Sequence, residues 1–239
     1  MNHQDLIKEI TQELYDDSNT LVLILYGSFS RKEESANSDI DLLVITNEYH
    51  LQKRHQLRCG VTVEFLEIHC DFLRQFITER EIPILFTLAD GIVLFDKISI
   101  TEQLREETKK ILEDGPPENI KWQSENYKTK RRSDITEIYK DLLDVNDVIS
   151  FNYISTLLIA CVLPLLLENH KLWPTTRKKT MEMLKTYCYD GYALIEILLN
   201  PLCSLLDKRS AAKDLITYAL EPHGGMLTGD AVIFRRDQL

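Results

Sequence analysis

Asp39 and Asp41 flank a single apolar residue, Ile40, at the head of the apolar run 40–45. Side chains of an extended strand alternate between its faces, so both aspartates project to one side and Ile40 to the other. Two carboxylates held side by side repel each other unless a proton or a cation lies between them. Oxygen donors of this kind suit a hard divalent ion, Mg²⁺ above all, which completes its shell with substrate phosphates. A third carboxylate, Glu64, stands in the later run 61–68, where Val61, Val63 and Phe65 share one face and Thr62, Glu64 and Leu66 the other. If that run pairs beside the first, the three carboxylates meet. Upstream, the run 21–26 ends at Gly27-Ser28. The missing Cβ of Gly27 lets an anion approach the backbone, and Ser28 offers its hydroxyl and N–H to a phosphate. Arg31, just beyond, adds a rigid fork of donors. The chemistry open to such a set is the handling of a polyphosphate around a divalent cation.

These residues need a sheet to position them. Residues 21–26 are almost unbroken apolar sequence, as in a strand covered on both faces. Ahead of them, Leu6, Ile7, Ile10 and Leu14 recur at helical spacing over 5–16, a helix that should pack on the sheet. Residues 46–56 are polar; His50 and His55 lack any zinc-site partner and read as surface histidines. The glycine turn is not a P-loop, because no G-x-x-x-x-G-K-[ST] follows. Phe72, Leu73, Phe76 and Ile77 mark an amphipathic helix over 71–80, and Gly91 turns the chain into a short last strand ending near Phe95. Ile100, Leu104, Ile111 and Leu112 mark a further helix, which stops at Gly115-Pro116-Pro117, the strongest break in the chain. The domain boundary falls there, giving domains 1–114 and 118–239.

The second half reads helical. Ile135, Ile138, Tyr139, Leu142 and Leu143 form a stripe within 122–146. The most apolar stretch, 151–167, contains Asn152, Ser155, Thr156 and Pro164, and reads as a core helix rather than a membrane span. After Trp173-Pro174, Thr175 or Thr176 caps a helix that opens with Arg177, Lys178 and Lys179. Basic residues in a first turn oppose the helix dipole; they read as a solvated face, with phosphate holding the other reading. Segments 191–199, 201–206 and 211–220 supply the remaining helices, and 231–234 a short edge strand. The fold class is α+β: a small mixed-sheet domain followed by an all-helical bundle of four or five helices.

Composition narrows the partners. The 239 residues carry a formal net charge of −10, which argues against a duplex-binding surface and suits a small cationic substrate. Five cysteines without a C-x-x-C motif fit reduced cytosolic thiols, and Asp5, Lys8 and Glu9 interrupt any signal-peptide core, so a cytoplasmic protein off the membrane is expected.

Gly27-Ser28, the Asp39-x-Asp41 pair after a short loop and Glu64 on a later strand fall in a known order. In this the chain resembles the nucleotidyltransferase superfamily with the polymerase-beta-like fold. It is most similar to the antibiotic (aminoglycoside-type) nucleotidyltransferases that carry a C-terminal helical domain. The resemblance implies that Asp39, Asp41 and Glu64 are catalytic and bind Mg²⁺, and that Gly27, Ser28 and Arg31 bind the nucleotide. Arg31 stands where resistance enzymes carry an arginine near the phosphates. Many members have glycine where this chain has Ser30, Arg31 or Lys32, so the loop here has less conformational freedom. The activity implied is transfer of AMP from ATP to a hydroxyl of a small acceptor, with pyrophosphate released. The base would be Glu64 or a carboxylate of the helical half; Glu137, Asp141 and Asp144 share a helix face there. Two other readings stand beside it: a protein or tRNA adenylyltransferase of toxin–antitoxin type, and a nucleotide-binding regulatory module without turnover. A homodimer, one subunit's helical half completing the other's cleft, is the assembly considered.

Overall fold

β1 (Thr20–Tyr26) and β2 (Ile40–Thr46) are aliphatic runs whose middle residues are buried on whichever face they project. That pattern belongs to the centre of a sheet, and a computed structural model of the chain, which describes residues 2–35 and 37–229, puts them there. The chain divides into two compact units, Met1–Asp114 and Gly115–Leu239.

In the first unit β3 (Leu51–Arg58), β4 (Val61–His69) and β5 (Ile92–Asp96) complete a five-stranded sheet of order β3-β4-β2-β1-β5. β2 and β4 run parallel while every other neighbouring pair is antiparallel, so the sheet is mixed. α1 (His3–Asp16) is capped by the Asn2 side chain, which accepts from the Asp5 N–H. It buries Leu6 and Ile10 in a core shared with Leu23, Leu42, Val63 and Phe65. The other face of these strands carries Tyr26, Asp41 and Glu64. α2 (Gly27–Ser30) is a single helical turn at the end of β1, and α3 (Cys70–Thr78), α4 (Ile82–Asp90) and α5 (Thr101–Glu113) follow β4 and β5. α3 packs on β4 and α4 on β1.

Two elements of the first unit depart from the sequence reading. Residues 46–56, expected to be a polar connection, contain most of β3. This strand joins β4 through Cys59 and Gly60, both at positive φ (51° and 81°), the pattern of a tight hairpin turn. As an edge strand it has little to bury, and its polar sequence hides it. One face still packs: the Arg54 guanidinium lies 4.0 Å over the Phe65 ring and pairs with Glu67, while Arg58 pairs with Glu13. α4 was also unforeseen. Its sequence IPILFTLAD is apolar nearly all round, so no helical periodicity marks it; Pro83 in its first turn was the available sign.

The second unit holds α6 (Glu125–Asp144), α7 (Val148–Asn169), α8 (Arg177–Tyr187), α9 (Tyr189–Leu199) and α10 (Leu205–Leu220). Their core includes Ile135, Phe151, Leu158, Val162, Leu184 and Leu215. By length and composition α7 could cross a membrane; its buried side supplies Phe151, Leu158 and Val162 to the bundle. Segment 201–206 is not a helix of its own. The Asn200 side chain accepts from the Leu202 N–H in a turn, and Ser204 caps α10 through the Asp207 N–H. Thr176 stands at the start of α8 without a side-chain cap bond. Residues 231–234, expected as an edge strand, lie outside the described residues.

Candidate active site

Strand register assembles the site. Tyr26 is opposite Asp41, Asp41 opposite Glu64, and Glu64 opposite His55, so these four form a line across β1, β2, β4 and β3. Residues directly opposite in a sheet share a face, and Lys53, two positions before His55, joins the same face. The juxtaposition of Asp41 and Glu64 that the sequence required therefore exists, made by the one parallel pairing in the sheet. Asp39 stands one residue outside the strand, near enough for its charge to bear on Asp41. β2 begins at Ile40, and Asp39 is an exposed residue just before it.

Around this line the polar atoms are engaged. The Tyr26 hydroxyl donates to Glu64 Oε1 at 2.9 Å, and Lys53 Nζ lies 2.8 Å from the same oxygen. His55 Nε2 is 3.7 Å from Glu64 Oε2. Burial, with the negative charge of Glu64, holds the Tyr26 phenol well above its ordinary range, so it remains a donor. Asp41 is pushed up to about 6, first by burial and then by the charges of Glu64 and Asp39, against the pull of Lys53 and Arg31. Among the described residues, no group of three or more His, Cys, Asp or Glu side chains is gathered closely enough to hold a metal ion. The donor set nonetheless fits a hard cation at Asp41: hard carboxylate oxygens in a half-buried place, with two further negative charges close enough to disfavour ionisation.

Gly27 forms the wall of this place. Its φ is 74°, and a Cβ there would overlap Asp41 Oδ2. The end of β1 and the head of β2 thus approach as closely as they do because residue 27 has no side chain. Ser28 follows in α2, and Arg31 closes that turn with its Nε donating to Glu33 at 2.9 Å. Phe29 packs against the α1 core, which anchors the turn.

Tyr26, Lys53 and His55 were not recognised from sequence as part of the site. Tyr26 could have been, since it immediately precedes Gly27 in a strand pairing with β2. Lys53 and His55 became visible only with the edge strand that carries them.

The raised pKa of Asp41 has a stability signature. Between the ordinary value of 3.8 and about 6, the folded chain keeps a proton that the unfolded chain has released. Folding therefore weakens as pH rises through that window, and the penalty is complete above it. Urea unfolding in divalent-free buffer should show the wild type losing stability relative to Asp41→Asn across this window. A difference between them that stays constant with pH would mean that Asp41 titrates normally.

Residues 8–99 match the family model described as Polymerase beta, Nucleotidyltransferase, and that span contains Gly27, Asp39, Asp41 and Glu64. The first unit has a nucleotidyltransferase-like fold of polymerase-beta type, followed by an all-helical bundle. The chain is also similar to the crystal structure of a nucleotidyltransferase-like protein from Exiguobacterium sibiricum 255-15. The likeness covers 92% of this chain and 75% of that one, at 15% identity and a TM-score of 0.49. No curated protein matches the chain.

Proposed function

We propose that the protein is a Mg²⁺-dependent nucleotidyltransferase that moves AMP from ATP onto a hydroxyl of a small, aminoglycoside-like cationic acceptor and releases pyrophosphate. The observation that carries this reading is the packing of Gly27 against Asp41, with Glu64 in register beside it, inside the span that matches the nucleotidyltransferase model. A net charge of −10 supports a cationic acceptor.

Asp39 and Asp41 would hold the ion, which when bound screens the triphosphate charge and polarises the phosphorus under attack. Gly27 admits the phosphates to the backbone, and the Ser28 hydroxyl and Arg31 guanidinium neutralise charge on the departing pyrophosphate. The acceptor oxygen attacks the α-phosphorus as the bond to the bridging oxygen of the β-phosphate breaks, and pyrophosphate leaves with that electron pair. Glu64, on the next strand, is placed to share the cation or to take the proton from the hydroxyl.

Pyrophosphate release from MgATP over a panel of aminoglycosides and related hydroxylated amines tests the reading. Turnover with one acceptor, absent in the Asp39→Ala/Asp41→Ala double variant, is the expected result. A silent panel, with labelled ATP instead modifying a protein or tRNA in cell extract, would overturn the small-molecule acceptor.

A further inference from the structure

Glu64 brings its own counter-charge. Oε1 accepts from the Tyr26 hydroxyl at 2.9 Å and meets Lys53 Nζ at 2.8 Å, so two donors already occupy that oxygen. Oε2 lies 3.7 Å from His55 Nε2, too far for a hydrogen bond. The Glu64 side chain is 15% exposed and that of Lys53 56%, so an inset carboxylate is met by an ammonium reaching in from the solvent side. A divalent ion bridging Asp41 and Glu64 would have to displace that ammonium or sit against it, positive charge beside positive charge.

We propose that Lys53 is a built-in cation: its ammonium holds the place at Glu64 that a second divalent ion would take, so the site loads one exchangeable ion, on Asp39 and Asp41. The inference rests on the nucleotidyl-transfer reading and settles which of its two roles Glu64 fills. With Oε1 tied to Lys53 and Tyr26, Oε2 is left to receive the acceptor's proton. Lys53 and Tyr26 are then positioning residues for that carboxylate. The arrangement differs from a two-ion clamp, in which a pair of metals about 4 Å apart holds both the attacking and the leaving oxygen.

Counting ions tests this without turnover. Full-length protein, in excess over the non-cleavable analogue α,β-methylene-ATP, is titrated with Mn²⁺ and the bound ion counted by electron paramagnetic resonance. One Mn²⁺ per bound nucleotide is expected for the wild type and Lys53→Arg, and two for Lys53→Met, where Glu64 is freed. The double variant Lys53→Met/Glu64→Gln should return to one. Two ions in the wild type, or one in a folded Lys53→Met, would overturn the proposal. The wild-type count decides alone should Lys53→Met fail to fold. Failure of the wild type to bind the analogue at all would sink the nucleotidyl-transfer reading itself, and this inference with it.

Discussion

Asp41→Asn is expected to lower kcat/KM for nucleotidyl transfer on the order of 10³-fold, equivalent to roughly 4 kcal/mol of lost transition-state stabilisation. The substitution keeps the shape of the side chain and removes only its charge. Asp41 lies inside the central strand, beside Gly27, where burial and the neighbouring carboxylates oppose its ionisation. Under the proposed function, a charge kept in so unfavourable a place is the one expected to serve the reaction. The same reasoning fixes the sign of the stability change. In the metal-free protein above about pH 6 the wild type carries that opposed charge and the variant does not, so the variant should unfold at higher urea while failing to turn over. Pyrophosphate release and urea unfolding on one preparation measure both. A variant within tenfold of wild-type turnover would remove Asp41 from the reaction.

Gly27→Ala should cost about 1–2 kcal/mol of stability and on the order of 10²-fold in rate. The stability term comes from φ 74°, where an L side chain is strained. The rate term comes from the added methyl, which would overlap Asp41 Oδ2 and push the carboxylate from its place. Misplacement of a catalytic group by about 1 Å is enough for a loss of that size. Gly60→Ala is the matched control. Gly60 also has positive φ, 81°, yet a Cβ there meets nothing within 4 Å. It should show the strain without the loss of rate, and equal losses of rate in the two variants would dissociate Gly27 from the site.

How far the sequence discloses this site depends on what each residue buries. β1, β2 and β4 lie at or near the middle of the sheet, and their apolar faces announce them, which is why Gly27, Asp41 and Glu64 are placed in strand context by the sequence alone. β3 buries little. Its sequence LQKRHQLR resembles a loop, and so Lys53 and His55 were missed although they belong to the same face as Glu64. α4 failed for the opposite reason, being too apolar for a stripe to stand out. In the helical half, the Gly115-Pro116-Pro117 break was legible because proline and glycine punctuate locally. The turn before α10 was not, since Asn200 and Ser204 direct it through side-chain bonds to single N–H groups.

The position of Lys53 at the margin of the sheet has a consequence for solubility. Among the described residues β3 pairs with β4 alone, so its outer rim offers backbone donors and acceptors to a passing extended chain, and Leu51 and Leu57 stand exposed on it. Lys53, Arg54, His55 and Arg58 make that rim costly to stack against a copy of itself. The lysine that balances Glu64 thus also places a charge on the strand edge, where charge disfavours edge-to-edge pairing.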